Sequence, residues 1–225
     1  MMEAVRNGAW AKSGGWVNPY QTNDNALVAM WDCEFVKNGK VEPVGSLRSD
    51  VITGLPMLTQ NDGGLMASTS SVALDDSLYD LFLGENYAIQ YCFKNTWSAS
   101  TIGRRMKCDG MFDFFGLTNS GLFAMTNCTV RDKSFGVQLN FKNPVADSAN
   151  TATFSLDVEA GKIYTQMGGG AFYSRNLPIG ENSPEKGSIT FYENAPIYGF
   201  RIYSRPISEA EKDTFWNVDN QRFNT

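Results

Sequence analysis

The residues best spaced for chemistry are Ser155-Leu156-Asp157-Val158-Glu159. Side chains alternate between the two sides of an extended strand, so Ser155, Asp157 and Glu159 are expected to share one face. Two carboxylates on one face are the equipment of glycoside hydrolysis, one as acid and the other as nucleophile or base. A serine beside them needs a base before it can attack. The chain has no histidine among its 225 residues, which removes the usual base near neutral pH and the commonest metal ligand. Ser–His and Cys–His nucleophile pairs are therefore excluded. The three residues read as the polar face of a half-exposed strand, and the chain as non-enzymatic.

Binding chemistry has other candidates. Trp97 lies in Lys94-Asn95-Thr96-Trp97-Ser98-Ala99-Ser100, and Tyr173 follows Gly168-Gly169-Gly170 and precedes Arg175 and Asn176. Loop aromatics beside amide and guanidinium donors suit a glycan platform; they equally suit caps on the edge of a core, and both readings stay open. The triple glycine permits close backbone approach or loop movement. Calcium has weak candidates in Asp109 with Asp113 and in Glu193 with Asn194, set against a reading of both as solvated loop acids. No other cofactor is expected. Arg104, Arg105 and Lys107 read as a basic cluster on a solvated loop. Asn127-Cys128-Thr129 is an acceptor sequon that means little without a leader.

Bulk properties narrow the partners. A net charge of −5 argues against a nucleic-acid footprint, which needs a basic face, and against anionic membrane surfaces. Cys33, Cys92, Cys108 and Cys128 contain no C-x-x-C pair, so a zinc site is disfavoured; buried thiols and one or two disulfides both remain open. The start, Met1-Met2-Glu3-Ala4-Val5-Arg6-Asn7, has no apolar run of signal-peptide length. Residues 1–20 read as an arm with Trp10 and Trp16 as aromatic anchors for other chains of an assembly, self-oligomer included. Residues 21–225 read as one domain.

Strand patterning carries that domain. Tyr87, Ile89, Tyr91 and Phe93 oppose Ala88, Gln90, Cys92 and Lys94; Phe135, Val137, Leu139 and Phe141 oppose Gly136, Gln138, Asn140 and Lys142; Ala152, Phe154, Leu156 and Val158 oppose Thr153, Ser155, Asp157 and Glu159. Each predicts a strand with one buried face, the pattern of an antiparallel sandwich. Ala160-Gly161 predicts a hairpin into Lys162-Ile163-Tyr164-Thr165. Another pair is expected around Asn119-Ser120-Gly121, and a short helical turn at residues 75–80. Ten to twelve strands and one real helix are expected in all.

The end of the chain is the most specific stretch. Tyr198, Phe200 and Ile202 alternate with Gly199, Arg201 and Tyr203, and Pro206 ends the strand. Ser208 and Glu211 form a capping-box pattern for a helix with an apolar side of Phe215, Trp216, Val218 and Phe223. The run Phe200-Arg201-Ile202-Tyr203-Ser204-Arg205-Pro206-Ile207-Ser208-Glu209-Ala210-Glu211 resembles the close of laminin-G-like jelly rolls in the concanavalin A-like lectin/glucanase superfamily. Ala26-Leu27-Val28-Ala29-Met30-Trp31-Asp32 is similar to their first strand. Asn217-Val218-Asp219-Asn220-Gln221-Arg222-Phe223 looks like gut-bacterial and bacteriophage members. The resemblance implies an all-β, two-sheet antiparallel jelly-roll sandwich with one short C-terminal helix. Its glucanase branch sets acid and nucleophile on one strand as Glu-Ile-Asp-Ile-Glu, and Ser155 stands where the nucleophile would. The expected function is thus a non-catalytic binding and display module: a structural or attachment protein on a bacteriophage virion with a capacity for surface glycans, or alternatively a bacterial carbohydrate-binding module. The expected place is a virion or extracellular surface, with no nucleic acid and no membrane insertion.

Overall fold

The computed structural model describes residues 11–12, 15–16, 18–33, 36–37, 40–41, 59–61, 64–66, 70–73, 75–94, 103–108, 112–119, 123–131, 133–139, 148–171, 173–181, 187–192 and 196–224. These residues form two antiparallel sheets, two short ribbons and two helices. The ribbons pair β1 (Ala11–Lys12) with β2 (Gly15–Trp16), and β4 (Val36–Lys37) with β5 (Lys40–Val41). Other strands at the front are β3 (Leu27–Asp32), β6 (Thr59–Asn61), β7 (Gly64–Met66) and β8 (Ser70–Ala73). Helix α1 (Asp76–Leu83) leads into β9 (Asn86–Lys94). There follow β10 (Gly103–Cys108), β11 (Phe112–Asn119), β12 (Phe123–Val130), β13 (Lys133–Leu139), β14 (Ala149–Asp157), β15 (Lys162–Met167), β16 (Tyr173–Asn176), β17 (Ser188–Phe191) and β18 (Ile197–Tyr203). Helix α2 (Glu209–Phe223) closes the chain.

One sheet runs β13-β12-β11-β10-β17-β8. The other runs β16-β15-β14-β9-β18-β7-β6, with β3 also on β18. The pattern of the sequence is met by this two-sheet antiparallel arrangement with a C-terminal helix. Strand β18 falls on the alternating run that ends before Pro206, and the Ala160-Gly161 turn joins β14 to β15, with Gly161 at φ 61°. The hairpin expected around residues 119–121 joins β11 to β12.

Three expectations need correction. Residues 75–80 do more than turn: Asp75 caps Leu78 N at 2.9 Å and α1 runs eight residues, burying Leu78 and Phe82. Arg104, Arg105 and Lys107 lie on strand β10, where neighbouring ladders from β11 and β17 override the local polarity. Most important, β9, β14 and β18 are buried on both faces. Cross-strand rows explain why. Ile202–Ile89–Phe154 and Phe200–Tyr91–Ala152 line the inner face and join the main core with Trp31, Tyr87 and Leu156. Tyr203–Ala88–Ser155, Arg201–Gln90–Thr153 and Gly199–Cys92–Thr151 line the outer face. There, α2 and Tyr20 cover them, and Tyr20, Leu27, Met30, Ala88, Tyr203, Ile207 and Phe215 make a second core.

The helix is fixed locally before it docks. Ser208 Oγ accepts from Glu211 N at 3.2 Å, and Glu211 Oε2 accepts from Ser208 N at 2.8 Å, the expected capping box. Arg205 clasps Glu211 (2.8 and 3.1 Å) and Asp24 (2.6 and 2.9 Å), joining the cap to the turn before β3. The hydrogen bonds from Arg205 hold both carboxyls below the usual carboxylate range. All four apolar residues of the helix find contacts. Phe215 stacks on Tyr203 at 5.6 Å between centroids, Phe223 stacks on Tyr198 at 4.6 Å, and Val218 packs on the second core. Trp216 lies against Gly169, where an added Cβ would sit 2.8 Å from the ring.

Candidate functional site

The densest constellation of polar groups among the described residues lies between α2 and the outer face of the eight-stranded sheet. Asp219 projects down from α2 and takes four hydrogen bonds: Arg201 Nη1 at 2.9 Å, Arg201 Nη2 at 2.5 Å, Thr151 Oγ1 at 2.6 Å and Tyr20 Oη at 2.7 Å. The Arg201 guanidinium also lies flat over the Tyr20 ring, 3.4 Å from its centroid. One turn further along α2, Arg222 donates to Tyr20 Oη at 2.6 Å and to both oxygens of Asp32 at 2.7 Å. Gln90 accepts from Tyr203 Oη at 3.1 Å and donates to Thr153 at 3.2 Å.

The electrostatics follow from burial and pairing. Burial pushes the Asp219 carboxyl upward, but the Arg201 guanidinium and the hydrogen bonds from Arg201, Thr151 and Tyr20 outweigh it and hold the carboxyl below its ordinary value. Burial works against the charge on Arg201, and the Asp219 carboxylate more than restores it. Tyr20, Tyr203 and Cys92 are all pushed well above their ordinary values, burial being the first cause in each. Tyr20, Tyr203, Cys92 and Arg201 keep their protons at neutral pH, and Asp219 stays ionised. The cluster is therefore a latch, tying the residue at the end of the expected arm, the last strand and the C-terminal helix together. It was missed in the sequence, although Phe215, Asp219 and Arg222 stand at i, i+4 and i+7, the spacing of one helix face.

The carboxylates of the Ser155–Glu159 run part company. Ser155 is fully buried on the face that α2 covers. Asp157 Oδ1 accepts from Ala160 N at 2.9 Å, serving the turn. Glu159 lies beyond the strand end, in that turn, so the three do not share a strand face.

Tyr173, read from sequence as a loop aromatic, lies on edge strand β16, half-buried and packed against the main core. Arg175 is exposed at a register position on the same side of the strand, opposite Ile163. Asn176 lies on the other side and accepts from Lys162 Nζ at 2.6 Å. The glycines before Tyr173 serve close approach: Gly168 (φ 55°) and Gly169 lie under the Trp216 indole. Trp97, Asp109, Glu193, Asn194 and Trp10 lie outside the described residues. Asp113 is on β11 in register with Lys107, and Trp16 on β2 opposite Ala11. No group of three or more metal-ligating side chains gathers among the described residues. Cys33, Cys92 and Cys108 are buried thiols, and Cys128 lies on β12. No helix among the described residues is long and apolar enough to cross a membrane.

No protein-family model and no curated sequence matches the chain. Solved structures do match in shape. The receptor-binding domain of the botulinum neurotoxin C/D mosaic serotype superposes with a TM-score of 0.62 at 12% identity, over 88% of this chain and 52% of that one. The binding domain of botulinum neurotoxin DC gives 0.60 in its complex with SialylT and 0.59 in its complex with rat synaptotagmin II, each at 12% identity and with the same coverage. The chain thus spans about half the length of these structures. At such identity the likeness is one of fold: a β-sandwich of the kind found in toxin binding domains.

Proposed function

We propose that this chain is a non-catalytic binding and display module of the laminin-G-like kind, acting through the loops and edges of a rigid sandwich. The observation that carries the reading is the sealing of the outer sheet face by α2 and Tyr20. That face carries the polar row Thr151, Thr153 and Ser155, and the latch and α2 cover it. Binding then falls to end loops and strand edges, where loop variation on a fixed scaffold serves recognition. The fold likeness to toxin binding domains, one solved in complex with SialylT and another with rat synaptotagmin II, supports a surface glycan or a protein as partner.

The finer reading is attachment or display on a particle such as a bacteriophage virion, with the segment carrying Trp10 and Trp16 engaging other chains. Tyr173 and Arg175, which share one side of β16, are the glycan contacts proposed, with Trp97; Asn176, on the other side, is not among them. A glycan array probed with the full chain tests this: a saturable hit is expected, weakened by Tyr173→Ala and by Arg175→Ala. Sugar release from mixed β-glucan that Asp157→Asn and Glu159→Gln abolish would overturn the non-catalytic reading. A glycan hit independent of residues 1–20, in a particle of monomeric mass, would favour a bacterial carbohydrate-binding module over particle display.

A further inference from the structure

Two left-handed residues at one end of the sandwich are joined to each other. Glu85 (φ 52°) follows the C-terminus of α1, where glycine or asparagine is the usual occupant. Arg131 (φ 51°) starts the two-residue turn between Val130 and Lys133, again a glycine or asparagine position. A residue with a Cβ is costly in this backbone region. The chain nevertheless places a glutamate and an arginine there, and they form a two-pronged ion pair: Arg131 Nε donates to Glu85 Oε1 at 2.6 Å, and Nη2 donates to Oε2. The third nitrogen, Nη1, donates to the carbonyl of Pro178 at 2.7 Å.

That carbonyl begins an exposed tip. Before it, Leu177 packs on the main core and its N–H donates to Gly161 O at 2.9 Å. After it, Gly180 (φ 148°) faces Arg131: a Cβ added there would lie 3.7 Å from the Arg131 Cβ and carbonyl. Between these anchors stands Ile179, 95% exposed. The other exposed large hydrophobic among the described residues is Val158, at 43%, in the turn whose Gly161 accepts from Leu177. An exposed glutamate lies close to each in sequence, Glu159 after Val158 and Glu181 two residues beyond Ile179. An apolar side chain held on a pinned backbone loses little freedom on binding, the property of an interface anchor.

We propose that the tip at Pro178, Ile179 and Gly180 is a protein-contact point. Ile179 packs against large apolar side chains of a partner polypeptide, and Glu159 and Glu181 meet lysine or arginine side chains beside them. The acid pair and the net charge of −5 disfavour an anionic lipid surface. They also disfavour the same end of a second copy, which would set like charges together. The inference rests on the binding-module reading and assigns it a contact.

The test probes the full chain against an array of random immobilised peptides, beside Ile179→Ser and beside vesicles containing phosphatidylserine. The expected result is retention of peptides that combine large apolar residues with Lys or Arg, weakened about tenfold or more by Ile179→Ser while the Tm is unchanged. Arg131→Ala, which removes the hydrogen bond to the Pro178 carbonyl, is expected to weaken the same peptides without altering which are bound. An array that retains nothing, peptides bound equally by Ile179→Ser, or vesicle binding that Ile179→Ser abolishes would each overturn it. A glycan-array hit by a chain that retains none of the peptides leaves the binding module standing and removes only this contact.

Discussion

Asp219→Ala is the sharpest perturbation of the latch. It removes a carboxylate that takes four hydrogen bonds and leaves Arg201, whose side chain is 0% exposed, as an uncompensated buried charge. Breaking one partner of a buried ion pair costs about 3–5 kcal/mol. In a domain of this size each kcal/mol moves the Tm by about 2–4 °C, so a fall of roughly 6–20 °C is expected. Replacing both partners, as in Arg201→Met with Asp219→Leu, removes the stranded charge and should recover much of the loss. Thermal and urea unfolding of the wild type, Arg201→Met, Asp219→Leu and the double variant measure the coupling directly. The acid limb carries a second signature. Because pairing holds the Asp219 carboxyl below its unfolded value, its stabilisation is complete above the unfolded value of about 4. It is lost as the pH falls through the lower folded value. Asp219→Ala should therefore flatten part of the acid dependence. A fall of less than about 2 °C, corresponding to under roughly 1 kcal/mol, would refute the latch.

Three further outcomes follow from the same packing. Tyr20→Phe deletes the hydroxyl shared by Asp219 and Arg222. It should cost about 1.5–3 kcal/mol by urea unfolding, the range for hydrogen bonds to charged groups. Gly169→Ala places a Cβ 2.8 Å from the Trp216 ring; a loss of about 1–3 kcal/mol from overpacking and a shift in tryptophan fluorescence are expected. Ser208→Ala removes the helix cap and should lower stability by about 0.5–2 kcal/mol, with the change confined to faster hydrogen exchange in the first turn of α2.

What the sequence made legible is what periodicity reports. The β18 run, the Ser208–Glu211 box and the apolar side of α2 were all readable because each is a local pattern with a local cause. Two-sided burial of β9 and β14 was not. Gln90, Thr151, Thr153 and Ser155 are polar, and alternation of polar with apolar residues looks the same whether water or a polar-faced helix covers the polar side. Only pairing over long separations, Tyr20 with Asp219 and Arg222 with Asp32, tells them apart. Strand β10 was hidden for a related reason: Arg104, Arg105 and Lys107 have no apolar alternation, and neighbouring ladders hold the strand instead. Among the candidate site residues, Tyr173 was read as a loop aromatic because the preceding glycines suggest a loop; those glycines instead make room for Trp216.

Native-state hydrogen exchange on the full chain tests the central claim, that the eight-stranded sheet is sealed on both faces and recognition falls to its ends. Amides of β9, β14 and β18 should exchange slowest, together with the second half of α2, and only through global unfolding. Rapid exchange of α2 with concerted exposure of β14, at an opening free energy well below the global one, would show an openable cleft on the outer face and contradict the account.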